Sequence, residues 1–321
     1  MPSQKGSLPI LALLLIVIVL AAGAFYFSRN LQTPPPPQPT PTQPQPTASQ
    51  MGLKFDNPPL KYDPFNDKNG PFYHQVFLAK SPDGLNFTKE SDVLFDKASV
   101  PDMVALPNGR LLAYMVDGAG RSKSGVMVAL SDDEGISWDQ GSLQLKRKSA
   151  QPGGIADPQI IYYKNGTFRL YYLVFGPGKN SVKSATSTDG INFEEEDGTR
   201  FEYPRITDPD IVNFDGKWFM YLSQGPKLIA ASSDDGLTFK LEKTIREKGS
   251  VTKTVYVDVN FYRQFYCSDG NIKSAKTADG LNFTDEPGDR LTSDPGQTIC
   301  DPAPVHQNGA WLMLYKVAPG H

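Results

Sequence analysis

Ser187-Thr-Asp-Gly-Ile-Asn-Phe193 decides the fold, because the chain repeats it. The other copies are Ser81-Pro-Asp-Gly-Leu-Asn-Phe87, Ser131-Asp-Asp-Glu-Gly-Ile-Ser-Trp138, Ser232-Ser-Asp-Asp-Gly-Leu-Thr-Phe239 and Thr277-Ala-Asp-Gly-Leu-Asn-Phe283. Their glycines fall at 84, 135, 190, 236 and 280, in steps of 51, 55, 46 and 44. Periods of this size mark repeat architectures. Each copy follows a short apolar run, such as Val126-Met-Val-Ala-Leu130. The pattern reads as a strand, then a tight turn with Gly in a left-handed conformation and Asp bonding the turn's own amides. A closing aromatic pins the turn to the sheet. Such aspartates are structural.

A second pattern alternates with the first: an Asp, a strand, a Gly turn and an aromatic-rich strand. It runs Pro101-Asp-Met-Val-Ala-Leu-Pro-Asn-Gly-Arg-Leu-Leu-Ala-Tyr114, then from Asp157-Pro158 to Tyr171, from Asp208-Pro209 to Tyr221 and from Asp301-Pro302 to Tyr315. A degenerate copy, Thr254 to Tyr266, fills the fourth place. Two hairpins in about 50 residues make a four-stranded propeller blade. The chain stops after the second strand of the last unit and begins, past residue 73, with a third strand. The predicted architecture is therefore an all-β, five-bladed β-propeller over residues 52–321. One blade is shared between the two ends of the chain, which removes the open sheet edge.

The composition agrees with a globular domain. With 32 basic and 35 acidic residues the net charge is −3, and the longest Lys/Arg run is Lys146-Arg147-Lys148, so a nucleic-acid partner is not expected. Residues 8–27 carry no charge, enough for a helix of about 30 Å across a bilayer. The reading is a cytoplasmic tail at 1–7 and a single transmembrane anchor at 8–28. A cleaved signal peptide ending near Ala22-Gly23-Ala24 is the rival, disfavoured because signal cores run only about 7–15 residues. Residues 29–51 hold eight prolines among Thr and Gln, an extended linker reaching roughly 60 Å. The domain is thus expected outside the cytoplasm, as a monomer on a single-pass anchor. Cys267 and Cys300 fall on adjacent blades, as one disulfide or as two buried thiols. Neither they nor His74, His306 and His321 have the spacing of a zinc site.

The heads of the first strands should converge on the propeller axis: Asp102, Asp157, Asp208 with Asp210, and Asp301. The loops at 117–124, 175–181 and 224–227 share that rim and place Arg121 and Lys179 beside the same mouth. Crowded carboxylates repel one another, so some should hold their protons unusually well. Paired carboxylates of different acidity are what cleavage of a glycosidic bond requires. The same aspartates have a structural use as strand caps or as holders of an axial calcium ion at Asp102 or Asp301. No cofactor is required.

The Asp-Pro heads followed by Gly-Trp or Gly-Tyr hairpins resemble the five-bladed propeller glycosidases, glycoside hydrolase families 43 and 32 above all, over the whole domain. The resemblance implies a carbohydrate substrate and a trio of head carboxylates as base or nucleophile, pKa tuner and acid. Carried over by position, these are Asp102, Asp157 and Asp208, with Asp210, Asp301, Arg121 and Lys179 in substrate binding. The family's third head is a Glu, here Asp208, and no strand head in this sequence carries a Glu. The Asp-Gly turns also resemble the Asp boxes of sialidases, with Ser131 to Trp138 matching in full, although sialidases usually have six blades. The expected function is glycoside hydrolase-like chemistry in the axial funnel. The alternatives are a non-catalytic propeller that binds glycan or protein, and a sialidase-like enzyme.

Overall fold

A computed structural model describes residues 52–148, 153–259 and 261–320. The tail, anchor and linker expected over 1–51 lie outside the described residues. Among those described, no helix is long and apolar enough to cross a membrane.

Strands form five sheets, one per blade, antiparallel except where Gln144–Lys146 joins the outer edge of blade 2 in parallel with Asn192–Glu195. Blade 1 comprises Ala98–Ala105, Leu111–Asp117, Val126–Ser131 and Asp139–Ser142. Blade 2 runs Ala156–Tyr162, Phe168–Val174, Asn180–Ser187 and Asn192–Glu195, with Phe201–Tyr203 extending its outer edge. Blade 3 is Thr207–Phe214, Lys217–Gln224, Lys227–Ser233 and Lys240–Arg246. Blade 4 is Ser250–Asp258, Phe261–Ser268, Asn271–Thr277 and Thr284–Asp285. Blade 5 takes its inner strands, Gln297–Gln307 and Ala310–Pro319, from the end of the chain and its third strand, Gln75–Ser81, from the beginning. Seven residue pairs, Gln75 with Val317 through Ser81 with Trp311, sew that seam.

The repeated turns hold as their composition demands. In the copy at 187–193, Ser187 Oγ accepts the Gly190 amide at 3.0 Å, and Asp189 Oδ1 accepts the amides of Ile191 and Asn192 at 2.8 Å each. The tyrosine that ends the second pattern explains how blades lock together. Tyr114, Tyr171 and Tyr221, all fully buried, donate to the carbonyls of Gly190, Gly236 and Gly280 in the turn of the next blade, at 2.7, 2.8 and 2.7 Å. A Cβ on Gly190 would lie 2.9 Å from the Tyr114 hydroxyl, so this contact also requires glycine. Apolar clusters fill the gaps between blades, for example Leu112, Tyr114 and Val128 of blade 1 against Ile160, Leu170 and Phe193 of blade 2.

Residues 53–74 enter no blade. They form a strap along blade 1 and over its 117–124 loop: the Asn57 and Leu60 amides donate to the carbonyls of Arg121 and Ala119 at 2.9 and 2.8 Å. Gly118 fits under the strap because a Cβ there would come within 2.3 Å of the Pro71 carbonyl oxygen. Between Cys267 of blade 4 and Cys300 of blade 5 a disulfide is formed, with Cα atoms 5.3 Å apart.

Candidate functional site

Every first strand breaks its ladder near its head. Register shifts fall at Ser99/Asp102, at Ala156/Gln159 opposite Leu173 and Tyr171, and at Thr207/Asp210, Ser250/Thr252 and Cys300/Ala303. In each break one residue is left-handed: Val100, Asp157, Asp208, Val251 and Asp301, with φ between 47° and 53°. Two of these are β-branched valines, for which such a conformation is strained by roughly 1–3 kcal/mol. The five bulges therefore define one ring of equivalent positions around the axis.

This ring corrects the carry-over by position. The blade 1 equivalent of Asp157 and Asp208 is Val100, not Asp102, and the true fourth head is Val251. Asp102 belongs to the next layer down, with Gln159, Asp210, Lys253 and Ala303. That layer is a plug. Lys253 reaches from blade 4 to blade 1 and sets its ammonium 2.6 and 2.7 Å from the two oxygens of Asp102, and Asp102 also accepts the Ile160 amide at 2.7 Å. Asp210, fully buried, accepts the hydroxyls of Thr252 and Thr254 at 3.0 and 2.7 Å. Burial pushes its carboxyl up from the usual range, against the charge of Lys253.

The upper ring gathers Asp157, Asp208 and Asp301. Asp157 Oδ2 accepts the Asp208 amide at 3.1 Å, and Asp208 takes a 2.6 Å hydrogen bond from the Thr207 hydroxyl. Burial, then the Asp208 charge, raises Asp157 well above an ordinary carboxyl. Burial, then Asp301, lifts Asp208 to about 6. Asp301 meets the Lys316 ammonium at 2.6 Å. Burial opposes the charge on Lys316, but the carboxylates around it, Asp301 first, leave its pKa raised. His74, beside this group, shares a 2.8 Å hydrogen bond with Ser99, and burial followed by the Lys316 charge lowers it to about 4. The chamber between the two rings holds about 30 Å³, the space of a single water.

The carboxylates named as calcium ligands, Asp102 and Asp301, are thus each neutralised by a lysine. Among the described residues no three His, Cys, Asp or Glu side chains are grouped to hold a metal. Arg121 does not point into the mouth: it binds Asp117 at 2.9 Å and lies 4.4 Å over the Phe55 ring, clamping the strap. Lys179 sits on the exposed rim, paired with Glu202 at 3.4 Å. Sequence reasoning missed Lys253, Lys316 and Gln159. Lys253 could have been found by counting: Asp102, Gln159 and Asp210 lie 12, 12 and 11 residues before Tyr114, Tyr171 and Tyr221, and Lys253 lies 12 before Phe265.

The raised pair has a pH consequence. A carboxyl whose folded pKa exceeds its unfolded value of about 3.9 binds more protons in the folded state, so stability declines as pH rises between the two values. For Asp208 that window runs from about 4 to about 6. The urea midpoint of Asp208→Asn should fall less across this interval than that of the parent protein. An identical slope in both would remove the buried-acid assignment.

No protein-family model matches the chain, and no curated protein matches it in sequence. Solved structures do. A thermostable family-43 glycoside hydrolase superposes with a TM-score of 0.56 at 14% identity, covering 69% of this chain and 88% of that one. A protein of unknown function from Dyadobacter fermentans gives 0.55 at 15%, over 86% and 89%. The Penicillium chrysogenum α-L-arabinanase, solved with arabinobiose, gives 0.51 at 13%, over 68% and 74%. Five blades, a seam made by the two ends of the chain and these superpositions give one conclusion: this chain has the fold of the five-bladed propeller glycoside hydrolases.

Proposed function

We propose that the protein is a carbohydrate-active propeller, held outside the cytoplasm by the 8–28 anchor and its linker, that cleaves glycosidic bonds over the axial mouth. The observation that carries this reading is the upper ring, where Asp208, an acid lifted to about 6, and Asp301, a lysine-paired carboxylate, line one opening. In this scheme Asp208 protonates the departing glycosidic oxygen while Asp301 takes a proton from the water that adds to the anomeric carbon. Asp157 positions Asp208 by accepting its backbone amide, and the Asp301 charge helps to hold the Asp208 proton. Asp102, fixed in the plug below, takes no part. Exposed aromatics on the strap, Tyr62 at 83% and Phe65 at 68%, supply flat faces for sugar rings on the same side of the domain.

The 30 Å³ chamber favours a second reading, because no sugar ring enters it. On this reading the top face binds glycan without turning it over. Incubation with aryl-glycosides and with arabinose-, xylose- and glucose-based oligosaccharides separates the two. Under the first reading hydrolysis is detected, and Asp208→Asn or Asp301→Asn lowers kcat by about 100-fold or more with the fold intact. Binding without products, in parent and variants alike, would leave only the second.

A further inference from the structure

On the rim of blade 2 a groove of about 570 Å³ opens between the 175–179 loop and the crossover that leads to blade 3. One wall is Phe175, 62% exposed although it follows the buried end of a core strand. The other is Pro204, with the Lys179–Glu202 ion pair at 3.4 Å along the edge. The walls are fixed by backbone and by a hydrogen bond from Asn180 Nδ2 to the Ile206 carbonyl at 2.8 Å. Pro204 is four residues from Asp208, so the groove begins at most about 14 Å from the axial acid along the chain.

We propose that this groove is a glycan-binding subsite, in which a sugar ring lies on Phe175 and its hydroxyls bond Lys179 and Glu202, so that a chain engaged over Asp208 continues into it. The inference rests on the carbohydrate reading of the mouth. An apolar ring face beside a solvent-exposed acid and base suits a sugar, which has one C–H face and a rim of hydroxyls. A lipid or an apolar helix would leave the ion pair without a role.

The test uses the purified full chain in detergent and its Phe175→Ala variant, a change at an exposed position that keeps the fold. Binding of xylohexaose, arabinohexaose, cellohexaose and chitohexaose is measured by calorimetry, with the corresponding disaccharides alongside. The subsite requires that a hexasaccharide bound by the parent be weakened about tenfold in Phe175→Ala, and comparably in Glu202→Gln, while disaccharide binding is unchanged. Unaltered hexasaccharide binding in both variants overturns the subsite and leaves the carbohydrate reading standing. If no saccharide binds the parent chain, both fall together.

Discussion

Lys253→Met is expected to lower the stability of the folded domain by about 3–5 kcal/mol, the usual cost of leaving one member of a buried ion pair alone. For a domain of this size that is a drop of roughly 6–20 °C in Tm. Lys253 and Asp102 are 9% and 3% exposed, and their contact spans the axis from blade 4 to blade 1. Without the ammonium, the Asp102 carboxylate faces a chamber with space for one water, in whose lining Lys253 is the sole cation among the described residues. The partner variant makes the test specific. In Lys253→Met/Asp102→Asn the charge is gone, yet an amide oxygen still accepts the Ile160 N–H, so most of the loss should return. If Lys253→Met melts within a degree or two of the parent, the axial plug contributes nothing and the description of that layer is wrong.

Opening the Cys267–Cys300 bridge should cost about 3–4 kcal/mol in the chain-entropy account for a closed loop of this length. The sequence separation is 33 residues, and the bridge ties the second strand of blade 4 to the first strand of blade 5. Its effect should reach the mouth, because Cys267 Sγ accepts the Asp301 amide at 3.2 Å. A reducing agent should therefore shift the urea midpoint of the parent downward and leave that of a Cys267→Ser/Cys300→Ser variant where it already lies. Indifference of the parent to reduction would mean that the bridge does not hold the blades.

The ring of blades was legible because its signals are local. A Ser or Thr, an Asp and a Gly within five residues favour a tight turn through their own local hydrogen bonds, and the turn recurs at steps of 44 to 55 residues. The site was less legible, for two reasons. In blade 4 the Asp-Pro head is replaced by Val251-Thr-Lys253, and the aromatic opposite Lys253 is Phe265 rather than Tyr266, so an alignment on the tyrosines lies one residue out of register. A one-residue slip in a strand exchanges its faces, which hides both the Val251 head and the lysine below it. In blade 1 the order Pro101-Asp102 invited a match to Asp-Pro, although the bulge places Val100 in that ring. Neither Lys253 nor Lys316 could be paired with its aspartate from sequence. Lys253 crosses the axis to a residue 151 positions away, a distance that only the closed ring removes.

The seam of blade 5 has a consequence for biosynthesis. Gln75 meets Val317 across it, 242 residues later in the chain. At roughly 5–20 residues per second the first strand to be made waits on the order of 12–50 s for its partner. During that interval Gln75–Ser81 offers an unsatisfied backbone edge to any other nascent chain. A ribosome that stalls, or a chain released a few residues short of the last strand, yields an open arc of blades instead of a ring, and quality control would have to recognise it by that naked edge.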